Sequence, residues 1–187
     1  MLKSRLCIAF FAFAVGCAPA QKPLTDYVNP MLGTATLWDS VDLGFKPTKR
    51  TWGAEVFPGS SLPNAMVQVS PVTKFHSGAG YQYEDSVIYG FTHTNKGHWN
   101  LCHIPLLPVT GTPTPGDYCS PFSHERESAA PGYYQVFLDR YGVDAQLSST
   151  LRCAFHKYTY PAGAAASLLA DLQRSNEHVR AWDIRKE

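Results

Sequence analysis

Residues 131–147 read Pro131-Gly132-Tyr133-Tyr134-Gln135-Val136-Phe137-Leu138-Asp139-Arg140-Tyr141-Gly142-Val143-Asp144-Ala145-Gln146-Leu147, and their pattern decides the fold. The run from Tyr133 to Leu138 is aromatic and β-branched, as strands are. From Val143 to Leu147 apolar and polar side chains alternate with period two, which gives a strand covering the core with one face. Pro131 and Gly132 before the pair, and Gly142 inside it, are turn signals. Outward from these two strands, short runs at 65–70, 87–91, 104–109, 156–160 and 167–172 read as further strands. Turns at Pro58 and Gly59, Gly78 to Gly80, Gly111 to Gly116, and Pro161 to Gly163 separate them at intervals typical of a β-sandwich. The run 104–109 is apolar nearly throughout, but Pro105 and Pro108 remove two ladder donors, which predicts an edge or domain-junction position.

Composition supports one all-β domain. Of 187 residues, 44% are hydrophobic and 17% charged, enough apolar material for a sizeable core and too much for intrinsic disorder. Fourteen Gly, fourteen Pro and 13% aromatic residues, without any fixed period, predict many short strands rather than long helices.

The first residues read as an address. Lys3 and Arg5 precede an apolar run at 6–15 that is too short to span a bilayer. Gly16 before Cys17 matches a lipoprotein cleavage site with lipid on Cys17, whereas Ala18, Pro19 and Ala20 match ordinary signal cleavage after residue 20. Either reading sends the mature protein out of a bacterial cytoplasm, to the periplasm, outer membrane or cell surface. Residues 18–25 form a short leader, and the globular part begins near Asp26. Loss of residues 1–17 removes two of sixteen basic residues and none of fifteen acidic ones, leaving a net charge of about −1. Basic residues are scattered singly or in pairs such as Lys49 and Arg50, so no nucleic-acid partner is expected. With Cys17 lipidated, Cys102, Cys119 and Cys153 allow at most one bridge, which excludes a disulfide scaffold.

The densest polar and aromatic cluster is His93-Thr94-Asn95-Lys96-Gly97-His98-Trp99-Asn100. An indole face stacks on the C–H face of a pyranose while amide and imidazole groups bond its hydroxyls, so the cluster suits sugar recognition. The same segment also fits an ordinary loop with Trp99 tucked into the core, or a zinc site using His93, His98, Cys102 and His103, although that spacing matches no standard zinc motif. Glu84 with Asp85, and Glu125 with Glu127, are the closest carboxylate pairs. Neither Glu125 nor Glu127 has a sequence neighbour that would raise its pKa, and both are expected at the solvated surface. Ser123 beside His124 lacks the glycines of a nucleophile elbow. Gly78-Ala79-Gly80 has no following helix and does not read as a phosphate loop.

The order of segments resembles glycoside hydrolase family 92. Asp26-Tyr27-Val28-Asn29-Pro30-Met31-Leu32-Gly33-Thr34 is similar to the opening of that family's members. Phe57-Pro58-Gly59-Ser60-Ser61-Leu62-Pro63-Asn64-Ala65-Met66-Val67-Gln68-Val69-Ser70-Pro71 looks like the next block. Gly80-Tyr81-Gln82-Tyr83 and Ile88-Tyr89-Gly90-Phe91-Thr92-His93-Thr94 fit the succeeding strands. The most specific block follows: Phe122-Ser123-His124-Glu125, then Ala130 to Tyr134, Val136, Arg152, His156, Tyr158, Thr159 and Pro161. The resemblance runs over 26–172 in one order.

It implies an antiparallel β-sandwich of the galactose-mutarotase-like super-sandwich type, incomplete at its C-terminus, over 26–187. Family members are exported bacterial enzymes, mostly calcium-dependent exo-α-mannosidases that invert the anomeric carbon, with the sandwich packed on an (α/α)6 barrel. The catalytic carboxylates and most of the calcium site belong to that barrel, which implies that this chain stops before its catalytic partner domain and is inactive alone on mannose-containing glycans. The sandwich implies a share in a leaving-group subsite. Trp99 matches its aromatic residue, with His98, Asn100 and His93 as neighbours and the loop at Trp52 and Gly53 as a further element. Many members carry small residues where this chain has Lys96 to Asn100, and a glycine-aspartate pair in place of Cys102 and His103, a departure that bears on linkage preference. Two readings from other classes remain at this point: a free-standing carbohydrate-binding sandwich of the cell envelope, and a structural envelope lipoprotein without a ligand.

Overall fold

The computed structural model describes residues 21–36, 56–96, 99–177 and 179–185. The export segment with Cys17, the Trp52–Gly53 loop and His98 lie outside these residues. Among the described residues no helix is long and apolar enough to cross a membrane. The helical elements described are 3-10 turns at Leu24–Tyr27 and His124–Arg126.

Among the described residues thirteen strands follow in chain order: β1 Ser60–Ser61, β2 Gln68–Val72, β3 Val87–Ile88, β4 Gly90–Thr92, β5 Asn95–Lys96, β6 Trp99–Asn100, β7 Leu106–Thr110, β8 Ser120–Pro121, β9 Glu127–Ala130, β10 Tyr133–Leu138, β11 Val143–Ser149, β12 Ala154–Thr159 and β13 Ala166–Ala170. All pairings are antiparallel. A five-stranded sheet runs β1-β2-β4-β7-β13 and a four-stranded sheet runs β12-β11-β10-β9, with small β3-β8 and β5-β6 ribbons. The expected all-β antiparallel sandwich is the observed fold.

The β10–β11 hairpin shows how alternation builds the core. Its register sets Tyr134 opposite Leu147, Val136 opposite Ala145 and Leu138 opposite Val143, and all six are buried. Gly142 closes the turn with φ +65° and donates its N–H to the Leu138 carbonyl at 2.8 Å; other residues adopt that backbone only under strain. Against this layer lie β1, β2 and β7. Val69, Phe91, Leu107 and Val109 from the five-stranded sheet join Tyr134, Val136, Leu138, Val143 and Leu147 in one cluster. Each such buried side chain contributes about 1.5–3 kcal/mol of transfer free energy. Ser60 and Ser149 bring two buried hydroxyls across the layers, and these satisfy each other at 2.7 Å.

Three sequence expectations are corrected by tertiary context. The run 87–91 splits, because Gly90 at φ +152° turns the chain from the β3–β8 ribbon into the main sheet. A Cβ there would meet Pro105 Cβ at 2.9 Å, so glycine is required sterically as well. Residues 65–67 form no strand, and pairing begins at Gln68. The strand carrying Pro108 lies between β4 and β13 rather than at the sheet edge. It tolerates proline because its pairing to β4 is limited to Phe91 opposite Leu106, so no regular ladder on that side needs the absent N–H.

Candidate functional site

β4 ends at Thr92 and the chain passes through His93 and Thr94 into the β5–β6 hairpin, which carries Trp99. This hairpin is tied down by Asn100, which is fully buried. Its side-chain oxygen accepts from the Thr92 hydroxyl at 3.2 Å and the Cys102 N–H at 2.8 Å, and its amide nitrogen donates to the Ala79 carbonyl at 3.3 Å. The Asn100 carbonyl accepts from the Asn176 amide at 2.6 Å. Both ends of the Asn100 side chain are thus engaged with the protein, and it acts as the anchor of the hairpin. Trp99 precedes it on the strand and so faces the other way, which leaves its indole half-buried.

His93 meets His156 of β12 across the layers, Nε2 to Nε2 at 2.7 Å. The second nitrogen of His156, Nδ1, contacts the Tyr158 hydroxyl at 2.6 Å. At that spacing one imidazole donates and the other accepts, so the two rings share one proton between their Nε2 atoms. Burial pushes His93 below its ordinary value, and burial together with the charge of His93 pulls His156 down to about 4. Both rings are therefore neutral at pH 7. Edge and stacked contacts from Phe91 to His156 and Tyr158 complete this cross-sheet cluster.

A second cluster centres on Glu127, whose side chain is 1% exposed. Its Oε1 accepts from the Tyr134 hydroxyl at 2.6 Å and the Tyr81 hydroxyl lies 3.0 Å from both carboxylate oxygens. His124 Nδ1 sits 2.5 Å from Oε2, and its Nε2 lies 2.7 Å from the Tyr83 carbonyl. The exposed Tyr83 ring stacks on that imidazole at 3.9 Å with 7° between planes. Burial, then the Glu127 carboxylate, pushes the Tyr81 and Tyr134 phenols well above their ordinary value. The solvated-surface expectation for Glu127 is overturned, while Glu125 is exposed. A signal was available: β10 alternation turns Tyr134 inward, and a buried phenol needs an acceptor. Ser123 caps the turn beneath, its hydroxyl accepting from the Glu125 N–H at 3.2 Å.

Among the described residues, no three His, Cys, Asp or Glu side chains come together as a metal-binding group. Cys102 is buried and its thiol is pushed up to about 12 by desolvation, which keeps it protonated and a poor ligand. Cys102, Cys119 and Cys153 are all free thiols.

These features define a class: an antiparallel β-sandwich domain with a polar, aromatic hairpin anchored at one end of its main sheet. The profile of the glycosyl hydrolase family 92 N-terminal domain matches residues 27–186, and the chain belongs to that family. Among solved structures it is similar to the family GH92 α-mannosidase BT3965 from Bacteroides thetaiotaomicron, with 31% identity, a TM-score of 0.68, and coverage of 82% of this chain and 21% of that one. It is also similar to the GH92 glycosyl hydrolase ccman5, at 33% identity and TM-score 0.55, covering 64% of this chain and 18% of that one. The inverting mannosidase BT2199 from Bacteroides thetaiotaomicron VPI-5482 matches at 27% identity and TM-score 0.62, over 81% and 20% of the respective chains. The chain thus spans about one fifth of the length of the first of these structures. No curated protein matches it significantly.

Proposed function

We propose that this chain serves as the N-terminal domain of an exported α-mannosidase that degrades mannose-containing glycans, and that it shapes the leaving-group side of the active site. The carrying observation is the family match over 27–186, joined to the similarity with mannosidase structures. BT3965 has also been solved in complex with mannoimidazole, at 32% identity to this chain. In this reading Trp99 offers its indole to a sugar, Asn100 holds the hairpin that presents it, and His93 braces that hairpin against the facing sheet. His98, Trp52 and Gly53, outside the described residues, enter this reading through the family resemblance alone.

Hydrolysis with inversion needs one carboxylic acid for the leaving oxygen and one carboxylate to activate water across the ring. Glu127 is the most enclosed carboxylate of the clusters described above, and its oxygens are taken up by Tyr81, Tyr134 and His124. We therefore assign both catalytic carboxylates to an (α/α)6 partner domain. In this reading calcium is bound mainly by that partner domain, as the family resemblance implies. Export as a lipoprotein through Cys17, or after ordinary cleavage, delivers the domain to the cell envelope.

The test is titration of the full chain with methyl α-mannoside and α-mannobiose, read by tryptophan fluorescence. Trp99→Ala is expected to weaken binding by about 1–3 kcal/mol, the range for aromatic stacking on a planar ligand face. Unchanged affinity with retained circular dichroism would remove Trp99 from the site. Steady mannose release by the pure chain would overturn the assignment of catalysis to a partner domain.

A further inference from the structure

An open cleft of about 500 Å³ lies beside the anchored hairpin and is lined by Lys74, Phe75, His76, Tyr89 and Arg174 among others. Lys74, His76 and Arg174 share its lining. Among the described residues neither Lys74 nor His76 has an ion-pair partner, whereas Arg174 pairs through Nε with Asp171 Oδ2 at 3.8 Å. Asp171 is itself occupied: it accepts from the Tyr118 hydroxyl and from the N–H groups of Gln173 and Arg174 at 2.8 and 3.0 Å. Its side chain is 10% exposed.

The cleft is also built with some rigidity. His76 holds φ +60°, a conformation that costs a non-glycine residue free energy, and its N–H donates to Asn176 Oδ1 at 2.6 Å. Asn176 also binds the Asn100 carbonyl, so one side chain fixes both His76 and the Trp99 hairpin. The Arg174 guanidinium carbon lies 5.3 Å from the Tyr89 ring, 5.2 Å from Tyr118 and 5.8 Å from Phe75. Three aromatic neighbours preset its plane, and one arm donates to the Gly116 carbonyl at 3.3 Å. Its Nη1 has no partner among the described residues. A planar fork with a free arm, in a cleft that Lys74 and His76 also line, matches an oxyanion. Phe75 and Tyr89, tilted at 59° with centroids 5.3 Å apart, supply an apolar wall for a ring.

We propose that this cleft is a subsite for an oxyanion carried on a sugar ring, with Arg174, Lys74 and His76 meeting the anion and Phe75 and Tyr89 the ring. The oxyanion could come from a uronate or from a phosphate, and the two share this recognition chemistry. The sugar part rests on the function proposed above, whereas the oxyanion part stands on the cleft itself.

The experiment titrates the full chain with glucuronate, inorganic phosphate and neutral methyl glucoside, followed by calorimetry at low and moderate salt. Glucuronate is expected to bind at least tenfold tighter than methyl glucoside, to compete with phosphate, and to weaken as salt screens the cleft. Lys74→Glu, an exposed change that keeps the fold, is expected to cost at least tenfold in oxyanion affinity, and Arg174→Gln more. Tighter glucuronate than phosphate assigns a uronate, and the reverse assigns a phosphate source. Glucuronate binding no better than methyl glucoside, or unaffected by Lys74→Glu, would overturn the proposal. Mannoside binding that depends on Trp99 but not on Lys74 reads out the function proposed above separately.

Discussion

Removing the carboxylate of Glu127 should reveal how much of the β9–β10 corner rests on one buried acceptor. In Glu127→Ala the Tyr81 and Tyr134 hydroxyls, on residues with 0% exposure, and His124 Nδ1 all lose their partner. Orphaning buried donors costs about 1–3 kcal/mol each, partly relieved if water enters the space left behind. We expect a total of about 3–5 kcal/mol, as when one member of a buried pair is deleted. Glu127→Gln is different. Its retained oxygen can still accept from both phenols, and its amide N–H can donate to His124 Nδ1. The imidazole then keeps its proton on Nε2 for the Tyr83 carbonyl at 2.7 Å. That variant should lose only about 1–2 kcal/mol, the worth of exchanging charged for neutral hydrogen bonds. Urea unfolding followed by circular dichroism gives the free energies, and Tm should fall by roughly 6–20 °C for the alanine variant. Glu125→Ala, at the exposed neighbour, should stay within about 0.5 kcal/mol. An alanine variant as stable as the parent, or a glutamine variant as damaged as the alanine, would refute the network.

The cross-sheet histidines make stability depend on acid. His156 takes up its proton only near 4 when folded, against 6.5 ordinarily, so between those values the unfolded chain binds a proton that the folded chain refuses. Stability is therefore unaffected by this group above about 6.5, falls as the pH drops through the window, and levels off below about 4. Allowing for screening at a partly exposed ring, the loss is about 2 kcal/mol. Urea midpoints at pH 7 and 4.5 should show it, and His156→Gln should flatten the slope; an unchanged slope would remove the pair as its source. Gly59→Ala should destabilise by about 2–4 kcal/mol or prevent folding, since its Cβ would stand 1.9 Å from the Val69 carbonyl oxygen, which belongs to β2 backbone that cannot yield. Native-state thiol labelling read by peptide mass should modify the exposed Cys153 quickly and leave buried Cys102 untouched until the chain unfolds; rapid labelling of Cys102 would contradict its burial.

The division between local and global information follows particular residues. Period-two alternation and punctuating turns are properties of neighbouring residues, which is why 133–138 and 143–147 locate β10 and β11 closely and why an all-β antiparallel sandwich was legible from the chain alone. The order of motifs from Asp26 onward carried the family in the same way. What alternation cannot say is which strands face one another. That pairing placed His93 against His156 over 63 positions of sequence, and it wrapped Tyr81 and Tyr134 around Glu127 from 46 and 7 positions away. The charge on Glu127 argued for solvent as long as its partners were unknown. Burial of a polar group is decided by the donors that long-range packing brings to it, and those exist only once the two sheets have closed.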